Sequence, residues 1–301
     1  MDLLKIMDLP ADEMNALIAL AERLKREKHK YSEELKGKIL ALLFEKPSTR
    51  TRVSFEAAMA SLGGRTITLD FVTTQISRGE TIADTARVLD RYVDAVGCRL
   101  YKHSDIEEMA KHARVPVINL LTDLEHPCQA LGDLLTMKEK GKLGKGKRFA
   151  YIGDIANNMA NSLMVAAVRS GMEVALAGPP GYPACADYVA EAKKTGKFEI
   201  FNDPLKAAKN ADVIYTDVWV SMGMEEEKAE RMKAFVPFQV NSAVLSQAKK
   251  DCIVMHCLPA HRGLEITSDV LDGKHSVVWD QAENRLHIQK AILLRLLAGR
   301  R

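Results

Sequence analysis

Short apolar runs alternate along the whole 301-residue chain with longer stretches in which apolar residues recur every three or four positions. The short runs are rich in Ile, Val and Leu and are flanked by turn residues, the pattern of buried strands. In the first half they fall at 39–45, 66–71, 94–100 and 115–121, and in the second half at 148–153, 173–178, 198–202, 212–219 and 252–258. The helical patterns lie between them. The clearest is Phe55, Ala58, Met59 and Leu62, spaced i, i+3, i+4, i+7 and stopped by Gly63-Gly64. A last helix at about 283–298 carries Leu286, Ile292, Leu293 and Leu296. Strands alternating with helices predict an α/β protein with mainly parallel sheets. The polar stretch 138–147 (KEKGKLGKGK) reads as a surface connection. The expected division is therefore a domain at 1–124, a connecting helix and linker at 125–147, a second domain at 148–279, and a C-terminal helix at 280–301. There is no internal repeat and no low-complexity tract.

Composition narrows the class. Apolar residues make up 47% and charged residues 28%, the balance of a soluble globular protein. No apolar run approaches the roughly 20 residues needed to span a bilayer, so no membrane association is expected. The N-terminus has neither a secretory layout nor the Arg/Ser-rich character of a transit peptide, and a cytoplasmic location is expected. A net charge of +3, with Lys and Glu interleaved, gives no footprint for nucleic acid. The basic runs 23–30 and 138–147 read as solvated faces and linkers. Five cysteines without paired spacing argue against a disulfide framework.

In open α/β sheets ligands bind beyond the carboxyl ends of strands. Residues 45–52 (EKPSTRTR) lie between a buried strand and a well-patterned helix. The first turn of that helix offers backbone N–H groups and a positive dipole end. Ser48, Thr49 and Thr51 add hydroxyls, and Arg50 adds a planar fork suited to phosphate. The plainer alternative is an N-cap with its arginines in water. Two more polar loops follow first-half strands, Arg99-Leu100-Tyr101-Lys102-His103 and His126-Pro127-Cys128-Gln129.

Ser48-Thr49-Arg50-Thr51-Arg52 followed by His126-Pro127-Cys128-Gln129 resembles the carbamoyl phosphate site of the aspartate and ornithine carbamoyltransferases. Further motifs follow in family order. Asp154-Ile155-Ala156-Asn157-Asn158 resembles the strand-end Asp…Asn-Asn loop. Asp217-Val218-Trp219-Val220-Ser221-Met222-Gly223 resembles the ornithine segment, His256-Cys257-Leu258-Pro259 the HCLP motif, and Glu283-Asn284-Arg285 the Asn-Arg pair. The resemblance implies two Rossmann-like domains with the last helix returning to the first. It also implies a homotrimer, or a multiple of trimers, in which Gln75 of a neighbouring subunit completes the carbamoyl phosphate site.

The implied reaction carries the carbamoyl group of carbamoyl phosphate to the δ-amine of L-ornithine, giving citrulline and phosphate, as in arginine biosynthesis. Carbamoyl phosphate would meet Ser48, Thr49, Arg50, Thr51, Gln75, Arg99, His126, Gln129, Cys257, Leu258 and Arg285, with Arg50, His126, Cys257 and Arg285 the catalytic set. Ornithine would meet Asn158, Asp217, Ser221 and Met222. The Asp154 loop is one residue longer than in some relatives, which leaves Asn157 and Asn158 as alternatives, Asn158 preferred. The δ-amine's proton could go to a Cys257 thiolate, to a carboxylate-assisted relay, or to the leaving phosphate. No metal or organic cofactor is expected, because the leaving group is already activated. Cys252, His256 and Cys257 could suggest metal ligands, but strand alternation would put 252 and 256 on one face and 257 on the other. The stretch MEEEKAERMKA after Gly223 says little about chemistry. The rival readings are another acceptor (aspartate, putrescine or an acetylated ornithine) and a silent anion-binding protein on the same fold.

Overall fold

The structure, a computed structural model, describes residues 2–27, 30–220 and 227–299. The chain divides into two compact units, Met1–Leu135 with Asn284–Arg301, and Thr136–Glu283. Each unit holds one wholly parallel sheet.

The first sheet contains β1 (Ile39–Phe44), β2 (Arg65–Asp70), β3 (Ala95–Arg99) and β4 (Val117–Leu121), in the order β2-β1-β3-β4. β1 and β3 are buried along almost their full length, as expected of central parallel strands covered on both faces. β2, with the sequence RTITLD, is an edge strand and largely open to solvent. Ala41, Leu43, Val96 and Cys98 pack with Ile106 and Met109 of α4 (His103–His112) in one fully buried core. Burying each large aliphatic side chain there contributes about 1.5–3 kcal/mol. The unit also holds α1 (Ala11–Arg26), α2 (Thr49–Ser61), α3 (Ile82–Leu89), most of α5 (Pro127–Glu139) and the larger part of α12 (Val278–Leu297). In α12, Arg295 donates to both carboxylate oxygens of Glu13 in α1, at 2.5 and 3.1 Å.

The second sheet contains β5 (Arg148–Ile152), β6 (Glu173–Ala177), β7 (Phe198–Phe201), β8 (Val213–Thr216) and β9 (Ile253–His256), in the order β7-β6-β5-β8-β9. Ala150, Ile152, Ala175, Ile214 and Val254 form its core. Connecting helices include α6 (Asn158–Arg169), α7 (Ala186–Thr195), α8 (Pro204–Ala208), α9 (Lys228–Phe235), α10 (Ser242–Leu245) and α11 (Ser268–Leu271). Among the described residues no helix is long and apolar enough to cross a membrane.

All nine expected strands are present, and the ends that fall short have local causes. β8 stops at Thr216 because the chain turns at Asp217, whose carboxylate accepts the Val218 N–H at 2.8 Å. β9 stops at His256 because Leu258 takes a left-handed φ of 60°. The last helix starts at Val278, earlier than its apolar pattern indicates.

The stretch 138–147 is not simply a solvated connection. Lys142 is buried, 2.6 Å from the Asp251 carboxylate and 3.8 Å from Asp212. Asp212 is itself buried, accepts from Arg148 N–H at 2.9 Å and Lys249 Nζ at 2.7 Å, and lies 3.7 Å from Lys147. Removing the Asp212 carboxylate leaves the Arg148 N–H without its acceptor and Lys142 with Asp251 alone. Asp212→Ala should therefore lower the unfolding free energy by about 3 kcal/mol. Urea denaturation reads this directly, and a loss under about 0.5 kcal/mol, the scale of an ordinary surface substitution, would mean that Asp212 does not support the unit.

Candidate functional site

Both sheets reverse strand order once. From β1 the chain builds β2 on one side and β3 on the other; from β5 it builds β6 and β7 on one side and β8 and β9 on the other. Loops leaving the two strands at such a reversal diverge and open a crevice at their carboxyl ends. Ser48–Thr51 and Arg99 lie at the ends of β1 and β3, and Asn158 and Asp217 follow β5 and β8; Gln75, His126 and Cys257–Leu258 follow the neighbouring strands β2, β4 and β9, and Arg285 lies on α12.

In the first unit, Ser48 caps α2 and accepts the Thr51 N–H at 3.3 Å. Thr49 and Arg50, the next residues, are exposed. A cavity of about 540 Å³ reaches this helix end, lined by Ser48, Thr49, Lys46, Arg52 and residues of the β2 loop. Arg99 is the last residue of β3, directly across from Phe44 at the end of β1. Thr51 is buried, and its hydroxyl accepts from Arg285 Nη2 of α12 at 2.7 Å. The other Nη of Arg285 donates to the Gln129 side-chain oxygen, and Gln129 Nε2 donates to Asp133 at 2.8 Å. One continuous network thus joins Thr51, Arg285, Gln129 and Asp133. His126 lies just before α5 and is buried. Burial, with Arg285 and Arg99 nearby, holds its pKa well below the ordinary imidazole value, so the ring is neutral. Gln75 is exposed in the turn Gln75–Arg78 beyond β2, and no hydrogen bond joins it to this network among the described residues.

In the second unit, Asp217 is buried just past β8 and accepts from the Cys257 thiol at 3.0 Å. Burial raises its pKa, opposed by His256 and by the Cys257 and Val218 hydrogen bonds. His256 ends β9. Its Nδ1 accepts the Leu258 N–H at 2.9 Å, so the proton sits on Nε2, 3.1 Å from the buried Glu265 carboxylate. That pair holds the turn carrying Cys257 and Leu258. Asn157 spends its side-chain oxygen on capping α6 through the Ala160 N–H at 2.8 Å and on accepting from Tyr151 Oη at 3.1 Å. Asn158, half-buried in the first turn, has no part in that cap. Ser221 and Met222 lie outside the described residues.

The strand-alternation argument about metal ligands fails in detail. Because β9 ends at His256, Cys257 lies on a turn, and ligand atoms of Asp217, His256 and Cys257 come within 4.8 Å of one another. Both His256 nitrogens are engaged, however, by Glu265 and by the Leu258 N–H, and the Cys257 thiol donates to the Asp217 carboxylate. Burial pushes the Cys98, Cys128 and Cys252 thiols up to about 12, far from thiolate chemistry at neutral pH.

Sequence reasoning passed over four residues here. Asp133 follows Gln129 by four positions on one helix, a legible spacing. Glu265 meets His256 from nine residues along the chain, a spacing that matches no helix or strand period. Lys46 is buried with its ammonium 4.3 Å from the Tyr101 ring centre, and burial and Arg99 lower its pKa. Arg231, within the MEEEKAERMKA stretch, is buried and pairs with Asp154.

Two family descriptions match the chain: the carbamoyl-P binding domain of aspartate/ornithine carbamoyltransferase over residues 1–139, and the Asp/Orn binding domain over residues 145–296. An ornithine carbamoyltransferase of Pyrococcus abyssi is 53% identical over 305 residues, covering 99% of this chain and 96% of the relative. One of Bacillus subtilis is 52% identical, covering 98% and 93%. The solved ornithine carbamoyltransferase of Pyrococcus furiosus superposes with a TM-score of 0.94 at 52% identity, covering 100% of this chain and 98% of that one. With near-complete coverage at half identity, and both domain descriptions matched in order, the chain belongs to the aspartate/ornithine carbamoyltransferase family.

Proposed function

We propose that this protein transfers the carbamoyl group of carbamoyl phosphate to the δ-amine of L-ornithine, releasing citrulline and phosphate, in the direction of arginine biosynthesis. A Pyrococcus furiosus relative 52% identical over 305 residues is named an anabolic ornithine carbamoyltransferase. The observation that carries the acceptor assignment is Asp217, a buried carboxylate at a sheet's reversal point with a thiol hydrogen-bonded to it at 3.0 Å. A buried carboxylate calls for a cation, and ornithine's α-ammonium answers that need, with Asn158, Ser221 and Met222 around the rest of the amino-acid head.

The donor binds in the first unit. The α2 N-terminus with Ser48, Thr49 and Thr51 takes the phosphate, supported by Arg50 and Arg99. Arg285, already fixed by Thr51 and Gln129, faces the carbamoyl carbonyl together with neutral His126. As the amine attacks, the carbonyl oxygen gains negative charge, and prearranged N–H donors stabilise it without reorganising. Gln129 holds the carbamoyl NH₂. The C–O bond to phosphate then breaks, and phosphate leaves with its electron pair and takes up the second proton, shed by the attacking nitrogen. The δ-ammonium sheds one proton before attack, and Cys257 with Asp217 offers a two-group path for it. Leu258 closes the acceptor side. No step requires a metal or an organic cofactor.

The working unit is a homotrimer or a multiple of trimers, in which Gln75 of one chain serves the cradle of the next. Gln75 is exposed beyond edge strand β2, open to a second chain. The five unpaired cysteines accord with a reducing, cytoplasmic setting.

An acceptor panel at saturating carbamoyl phosphate tests the reading. kcat/KM for ornithine should exceed that for putrescine or aspartate by at least about 10³-fold, because a site built to bind a group rejects analogues lacking it. Asp217→Asn should weaken ornithine use far more than carbamoyl phosphate binding. Comparable turnover of putrescine or aspartate would sink the ornithine assignment. Shared sites predict complementation. Gln75→Ala and Arg50→Lys proteins, the second losing the bidentate fork, should each be nearly inactive, whereas exchanged hybrids should be more active than both parents. Hybrids as inactive as their parents would rule out sharing. His126 predicts a stability profile. A depressed pKa means that the unfolded chain takes the proton first, so stability falls as pH drops below the ordinary value of 6.5. His126→Gln should flatten that loss in urea titrations repeated at falling pH, and an unchanged slope would mean that His126 is not buried neutral.

A further inference from the structure

Arg231 is 3% exposed and sits on α9, in a stretch otherwise full of solvated Glu and Lys. Its guanidinium joins segments that follow three adjacent strands. One Nη donates to the buried Asp154 carboxylate, two residues past the end of β5. Nε donates to the Trp219 carbonyl, three residues past the end of β8, at 2.7 Å. The plane lies 4.8 Å from the ring centre of Tyr182, which follows β6, and 5.0 Å from that of Phe235. Phe235 in turn packs against Tyr182 and Trp219, with centroids 4.9 and 6.1 Å away. Such a fork, charged, planar and fully engaged, fixes the distance between the groups it bridges, which a flexible ammonium does not.

The two bridged loops are those that carry the acceptor ligands proposed above. Asn158 lies four residues after Asp154, and Asp217 two residues before Trp219. The loops leave β5 and β8, the pair between which the strand order reverses, so they diverge unless something ties them. We infer that Arg231, with Asp154, is a positioning residue for the amino acid acceptor: it sets the separation of Asn158 and Asp217 and so selects a ligand carrying an α-ammonium and an α-carboxylate on one carbon. The inference rests on the assignment of that site to ornithine. Every partner described for Arg231 belongs to the unit that carries Asn158 and Asp217, so its effect falls on acceptor recognition. An ion pair formed only to hold up the fold would have no such preference.

Arg231→Lys keeps the charge beside Asp154 and loses the fork. Asp154→Asn keeps an oxygen acceptor and loses the charge. Steady-state kinetics on both full-length variants, each confirmed folded by its melting transition, separates the possibilities. KM for ornithine should rise about tenfold or more, because small misplacements of binding groups are costly. KM for carbamoyl phosphate should stay within about twofold, since its cradle is untouched. L-Norvaline, which has the same head and no δ-amine, should lose inhibitory potency in parallel. The Arg231→Lys/Asp154→Asn double variant should be little worse than the weaker single one, because both remove one clamp. A folded variant with unchanged ornithine KM and unchanged norvaline inhibition overturns the clamp, and so does a parallel rise in both substrates' KM. A wild-type enzyme that does not saturate with ornithine overturns the site assignment itself, an outcome visible before any variant is made.

Discussion

In a parallel sheet every strand delivers its carboxyl end to the same edge of the layer, so each following loop starts from one common surface. Where the next strand is added on the opposite side, two neighbouring loops part and leave a gap that no helix fills. This protein meets that constraint twice, between β1 and β3 and between β5 and β8. The rest of the chemistry follows from it. Ser48 and Arg99 stand at one gap, Asp154 and Asp217 at the other, each within a few residues of a strand end. Rigid strands place these side chains to within the tolerance that binding chemistry needs, whereas long loops alone would not.

Gathering charge at such gaps is costly, because burial removes the water that stabilises ions. The protein answers with paired, multiply bonded groups. Arg285 is held between Thr51 and Gln129, and Arg231 between Asp154 and the Trp219 carbonyl. His126 avoids the cost by remaining neutral. Asp154 shows how far burial is tolerated: its carboxyl is pushed up to about 6 even with Arg231 against it.

What was legible in the sequence follows from which forces are local. Central strands such as β1 and β3 announce themselves because both faces are buried and the apolar run is unbroken. Strand-end residues such as Ser48 and His126 are legible because they adjoin helix starts with recognisable capping or periodicity. Strand termini were less so: Leu258 leaves extended geometry through a φ that Leu rarely adopts, and nothing in its side chain signals it. The supporting layer was hidden for a different reason. Glu265 and Arg231 act through partners 9 and 77 residues away in sequence. Arg231 in particular was lost among residues of the same polarity, because composition cannot distinguish one buried cation from its solvated neighbours.

Leu258 has one more consequence. A leucine at φ 60° is strained by about 1–2 kcal/mol, and the turn persists because His256, backed by Glu265, captures its N–H. A campaign aimed only at thermostability would favour glycine here, since it accepts that conformation without strain. The same exchange would widen the conformational range of the segment bearing Cys257 and remove the apolar side chain beside it. The strain is thus a reserve of stability that can be recovered only by loosening the turn that carries Cys257, a trade-off between durability and local order set at one backbone torsion.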